Sequence, residues 1–264
     1  MIRWERAGSV GVAFIDRPER RNALNAELCD ELRARLEESH DLRAVIVGGA
    51  GDKAFCAGAD LGRRAADLDE GTSGDGGLEH GGGDTFRPAF EAVLDEIVSF
   101  PAPVIAAVNG PALGAGMQLA VACDLRVVAP NATFAIPAAR LGVMISSANV
   151  ERLAALVGPA AARDVLLTAR ALDADEAESL GLVQRRAPDA VAGARRLADE
   201  LATLAPLSLA GHKRALALVA ASAPLSEAAR AELADLEAAA FASHDLQEGL
   251  AAFAEKRTPT FEGR

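Results

Sequence analysis

The chain is poor in cysteine, in aromatic rings, in clustered histidine and in long apolar runs, and its positive charge is outnumbered. Only Cys29, Cys56 and Cys123 occur in 264 residues. They are widely spaced, odd in number and form no CxxC pair, which argues against a disulfide framework and predicts buried thiols in a reducing, cytoplasmic setting. None of the four histidines (His40, His80, His212, His244) lies within ligand spacing of a second His or Cys, so no metal site is expected. No unbroken apolar run reaches about 18 residues, and Met1 to Arg6 carries no apolar leader segment; neither a membrane span nor an export signal is expected. With 27 basic against 38 acidic side chains the net charge is −11, which argues against a nucleic-acid or anionic-membrane partner. An anionic ligand would need a local basic pocket.

Half of the residues are hydrophobic and only 4% aromatic, so Ala, Leu and Val must fill the core of a globular, enzyme-like protein. Val10 to Ile15, Ala44 to Val47, Val104 to Val108 and Leu125 to Val128 read as strands bounded by Gly, Pro or Asn. Between the first two, Leu28, Leu32 and Leu36 mark one face of a helix opened by Asn25 as N-cap. The expected class is α/β with buried strands. From Asp173 onward strand signals fade. Asp173 with Glu176 predicts a capped helix stopped by Gly181, and helices follow over Ala190 to Leu204, between Pro206 and Pro224, and over Leu225 to Phe241. The expected division is a core over residues 1–190 and a helical assembly region over 191–264. Gly71 to Gly83 has no periodicity and reads either as a tolerated surface insertion or as a lid beside a ligand site.

Two turns stand apart: Ala54-Phe55-Cys56-Ala57-Gly58-Ala59-Asp60, and Asn109-Gly110-Pro111-Ala112-Leu113-Gly114-Ala115-Gly116-Met117-Gln118. Each places small side chains where a strand turns toward a helix, so bare backbone N–H groups can donate to a ligand. The second adds a helix N-terminus, which favours developing negative charge. Neither turn is a P-loop, a dinucleotide fingerprint or a GxSxG elbow. Taken alone, such turns are more often packing devices than sites; the two together point toward function.

These two turns, together with Arg17-Pro18-Glu19-Arg20-Arg21-Asn22-Ala23-Leu24-Asn25, Leu61 after the first turn, Cys123-Asp124-Leu125-Arg126 and Phe253-Ala254-Glu255-Lys256-Arg257, resemble the enoyl-CoA hydratase/isomerase (crotonase) family in order and spacing. The chain also shares Gly114 to Ala120 and Cys123 to Pro130 with a glutamate-lacking actinobacterial branch. The resemblance implies a spiral of ββα units with a C-terminal helical assembly region, a homotrimer or a hexamer of paired trimers, and a coenzyme A thioester as ligand rather than a resident cofactor. It puts the oxyanion-hole donors on the N–H groups of Ala59 and Ala115. The adenine edge falls on Cys56, Ala57 and Gly58, and the phosphate contacts on Arg20, Arg21 and Lys256. Ala23, Asp60, Leu61, Gly114 and Phe253 complete the cofactor-binding set.

The family's hydratases use two glutamates. One stands three residues after the second donor and the other follows a proline past the next strand; here these places hold Gln118 and Ala138. An amide and a methyl group cannot exchange a proton with water or substrate. A third position, acidic in some isomerases, falls on Ser146, which reads more readily as a cap of the helix at Asn149 to Leu153. Arg140, Asn149 and Glu151 remain as polar candidates, while Asp124 and His212 read as structural. The expected function is acyl-CoA binding within fatty-acid and acyl-CoA metabolism, with weak or no hydratase activity. The alternative is an active enzyme of thioester-enolate chemistry, such as an isomerase or decarboxylase.

Overall fold

A computed structural model of the chain describes residues 1–60, 85–141, 143–221, 227–255 and 257–264. The expected lid or insertion at Gly71 to Gly83 lies outside them. The strand at the start of the chain, β1 (Ile2–Ala7), escaped the sequence pattern; it pairs antiparallel with β2 (Val10–Ile15). β1 is an edge strand in which Arg3, Glu5 and Arg6 interrupt the apolar residues, so it lacks the run that marks a strand buried on both faces. Next come β3 (Ala44–Gly49), β4 (Val104–Val108) and β6 (Leu125–Val128), all parallel, and β9 (Arg185–Arg186) at the far edge.

The four strands expected from sequence are apolar apart from Arg126 in β6 because both faces of this sheet are covered. Val45, Val47, Val104, Ala106 and Val108 point into one core; Ala44, Ile46, Ile105 and Ala107 point into the other, as the two-residue period requires. α1 (Ala26–Glu37) and α2 (Phe86–Ser99) pack together over the first face. The second face is closed by α6 (Ala190–Ala202), which presents Ala190, Ala194, Leu197 and Ala198 to β2, β3, β4 and β6. The helix that opens the expected assembly region therefore covers the sheet itself.

A smaller sheet, β5 (Ala112–Leu113), β7 (Thr133–Ala135) and β8 (Leu172–Asp173), carries the second glycine-rich turn. α3 (Ala115–Ala122) leaves this turn and is buried along its length. α4 (Ser147–Thr168) is broken at Gly158, where φ is 77° and ψ 158°, just before Pro159. α5 (Ala174–Ser179) is capped by Asp173, which accepts from the Glu176 N–H at 2.8 Å. The Glu176 carboxylate turns instead to Arg170 at 3.0 Å, so only half of a reciprocal capping box forms. α7 (Pro206–Ala221), α8 (Glu227–Ala242) and α9 (His244–Glu255) complete the C-terminal region.

Arg126 is 1% exposed and acts as a four-way internal clamp. Its guanidinium donates to the carbonyls of Leu182, Ala120, Cys123 and Asp124, tying α3 and the turn after it to the chain beyond α5. Asp124 accepts from the Val104 N–H at 2.7 Å and pairs with Lys213 at 2.8 Å, a structural role as expected.

Candidate functional site

The two glycine-rich turns pack backbone against backbone. A Cβ on Gly116 would stand 2.2 Å from the Cys56 carbonyl oxygen, closer than any side chain can be placed. Gly58 and Gly114 take φ of 107° and 55°, where side chains are strained. The first turn is held on one side by Leu24, whose N–H donates to Gly58 and whose carbonyl accepts from Asp60, and on the other by Leu113 N–H donating to Cys56. Since Leu24 straddles Ala59 in a parallel bridge, the Ala59 N–H points away from it. Ala115 is the first residue of α3, so its N–H has no intrahelical acceptor. Neither N–H has a hydrogen-bond partner among the described residues.

Both alanines line a cavity of about 240 Å³. Its walls include the stacked rings of Phe86 and Phe90, whose centroids lie 5.3 Å apart, and its outer rim carries the exposed Leu141, Val143 and Met144. Gln118, Ala138 and Ser146 line the same cavity. Gln118, one helical turn beyond Ala115, is 9% exposed. Ser146 caps α4, its hydroxyl accepting from the Asn149 N–H at 3.4 Å. Arg140 and Glu151 are exposed, and neither lines the cavity.

Glu91 was not anticipated from sequence, yet it lines the cavity on α2. Its Oε1 accepts from Asn149 Nδ2 at 3.1 Å, and Asn149 Oδ1 accepts from Arg152 at 2.9 Å. Phe86, Arg87, Phe90 and Glu91 recur at the spacing of one helix face. That spacing was the available signal.

The basic residues sit on the neighbouring turn. Asn22, fully buried, donates to the Ala50 and Ala54 carbonyls and accepts from the Arg17 N–H. It thereby pins the Arg17 to Asn25 segment to the first glycine turn. Arg21 is exposed at a φ of 50°, and its carbonyl accepts from the Ala57 N–H at 3.0 Å. Arg20 pairs with Asp60 at 3.1 Å and Arg17 does so at 3.0 Å, while Arg17 also donates to the Ala23 carbonyl. Burial pushes the Asp60 carboxyl up, but the hydrogen bonds and charges of Arg17 and Arg20 outweigh it and hold the group below its ordinary value. Leu61 and Lys256 lie outside the described residues, and Phe253 belongs to α9. All three cysteines are free and buried, and burial pushes each thiol up to about 12, which removes them as nucleophiles near neutral pH. Among the described residues no group of three or more His, Cys, Asp or Glu could hold a metal ion, and no helix is long and apolar enough to cross a membrane.

Residues 5–264 match the family described as enoyl-CoA hydratase/isomerase. The chain belongs to this family. Over 269 residues it is 39% identical to the "probable enoyl-CoA hydratase echA6" of Mycobacterium tuberculosis, covering all of both chains. It is 36% identical to the carnitinyl-CoA dehydratase of Proteus mirabilis, over 97% of this chain and 96% of that protein. The crystal structure of an enoyl-CoA hydratase/carnitine racemase from Magnetospirillum magneticum superimposes with a TM-score of 0.85 at 32% identity, covering 100% of this chain and 96% of the other. An enoyl-CoA hydratase from Geobacillus kaustophilus gives 0.84 at 35% identity, with coverage of 100% and 98%. The crotonase fold expected from the motifs is thus the fold of this family member.

Proposed function

We propose that this family member binds acyl-coenzyme A thioesters with the carbonyl oxygen between the N–H groups of Ala59 and Ala115, and that it hydrates enoyl thioesters weakly or not at all. The observation that carries the proposal is the pairing of two uncommitted N–H groups with Gln118 and Ala138 around one cavity. Two such donors, one at a helix N-terminus, suit a thioester oxygen that gains negative charge. Hydration also needs groups that orient water and move its proton. At the two places where the family's hydratases carry glutamate, this chain offers an amide and a methyl group.

The coenzyme runs along the Cys56, Ala57 and Gly58 backbone toward Arg20, Arg21 and Lys256, with Ala23, Asp60, Leu61, Gly114 and Phe253 around it. The neighbouring turn supports this path, because the Arg21 carbonyl is bonded to the Ala57 N–H. An acidic chain needs such a local basic group to meet a polyphosphate. Assembly as a homotrimer or as paired trimers, in the cytoplasm, belongs to the same proposal, and Leu216 and Val219, exposed on α7, suit a helical contact between subunits.

Crotonyl-CoA hydration measured beside calorimetric titration with short- and long-chain acyl-CoAs tests it. Binding is expected, with hydration about 10²-fold or more below that of a two-glutamate relative; comparable turnover would refute the proposal. Introducing Gln118→Glu and Ala138→Glu together is expected to create measurable hydration. An inert double variant that still binds acyl-CoA would show that the two positions are not the missing acids. Glu91 favours a second reading, in which the bound thioester undergoes enolate chemistry.

A further inference from the structure

We infer that Glu91 is the proton-transfer group of this cavity, removing a proton from the α-carbon of a bound acyl thioester. The inference rests on the thioester proposal for the Ala59 and Ala115 N–H groups and adds the group that would act on that substrate. Among the described residues, Glu91 is the one carboxylate lining the cavity. It comes from α2, whereas Gln118 and Ala138 come from α3 and from the 3-10 turn Pro137–Leu141. The acid is therefore supplied from a different wall.

Its orientation is fixed through a chain of donors. Arg152 can only donate, so Asn149 must turn Oδ1 toward it and Nδ2 toward Glu91. Arg152 is anchored in turn by Asp95 at 2.6 Å, one helical turn beyond Glu91 on the same helix. Asn149 is 2% exposed, which leaves its amide no competing water shell. One carboxylate oxygen, Oε1, is held by this amide, while Oε2 has no hydrogen-bond partner among the described residues and is left to take a proton. Phe86, Phe90 and Ile145 line the cavity beside Glu91, with Arg87, Gln118 and Ser146 as its other charged or polar side chains, so Glu91 is the one group there able to accept a proton from carbon.

In the step itself the Glu91 carboxylate accepts the α-proton. The C–H electron pair forms the double bond between the α-carbon and the carbonyl carbon, and the carbonyl π pair moves to oxygen, giving an enolate held by the Ala59 and Ala115 N–H groups. Return of a proton to the same carbon regenerates the thioester. With a 3-enoyl thioester, return to the γ-carbon yields the 2-enoyl isomer. No water is added and no co-reactant is consumed, so the chemistry is compatible with the loss of hydration.

The test uses the full chain with hexanoyl-CoA in D2O, reading deuterium at the α-carbon by mass spectrometry and binding by calorimetry. The wild-type protein is expected to exchange above the protein-free control. Glu91→Gln is expected to lose exchange by about 10²-fold or more while the dissociation constant moves less than fivefold, and Glu91→Asp to retain part of the rate. Exchange that survives in Glu91→Gln, or a wild-type protein that binds hexanoyl-CoA without exchange, overturns the role of Glu91 and leaves the thioester proposal standing. Failure to bind hexanoyl-CoA overturns the thioester proposal and the role of Glu91 with it.

Discussion

Asp60 couples the basic turn to the glycine turn at the scale of single residues. Its side chain is 8% exposed and takes hydrogen bonds from two guanidinium groups, each charge-assisted bond contributing about 1.5–3 kcal/mol. Because its folded pKa is depressed, the stabilisation is present above the ordinary carboxyl value of about 4 and is lost as pH falls through the lower folded value. Asp60→Asn should therefore be less stable than the wild type at pH 7 by about 1–3 kcal/mol in urea unfolding. The gap should close as pH is lowered below about 4, and a gap independent of pH would remove Asp60 as its source. Arg20 thus has one nitrogen committed to Asp60, whereas exposed Arg21 contributes its carbonyl to the turn and leaves its guanidinium at the surface.

At the scale of elements, the close approach of the two turns is set by Gly116. Gly116→Ala would drive a methyl group into the Cys56 carbonyl, which is backbone and cannot rotate aside. About 1–3 kcal/mol of destabilisation is expected, together with at least a tenfold loss of acyl-CoA affinity, since the turn carrying Ala115 must shift. Denaturant unfolding and calorimetric titration check both. The elements legible in the sequence are those with a long pattern. β2, β3 and β4 appear as apolar runs, and β6 as one broken only by Arg126, because both faces are buried, and α1 appears through Asn25, whose side chain accepts from the Leu28 N–H at 3.0 Å. β5, β7, β8 and β9 have two or three residues each, too few for any period to show. Gln118, Ala138 and Ser146 were found by counting along motifs. Glu91 was not, because it follows residues 61–84, which no motif spans, and only the fold brings α2 beside α4.

For the whole molecule, the two cores on either face of the sheet make residues 1–60, 85–141 and 143–202 one packed body, with α7, α8 and α9 added beyond it. The division at residue 190 reflects fading strand signals and a rise in helical propensity, both local properties. The packing of α6 is a long-range property that composition does not carry. The proposed assembly predicts a solution mass of three or six times 27.2 kDa by light scattering. Changing Leu216 and Val219 to Asp should shift that mass toward the single chain, and a wild-type protein that runs at 27.2 kDa would count against assembly.

The Ala59 and Ala115 donors are main-chain atoms, so their presence does not depend on which small residue occupies either position. Substitution can erase or relocate an acid on α2, on α3 or on the turn after β7 without dismantling them. Such a scaffold separates a main-chain end, set by backbone geometry, from a side-chain end, where one residue decides the chemistry. A lineage can lose a reaction there and keep the ligand, and it can gain a different reaction from another wall of the same cavity without inventing a new place to bind.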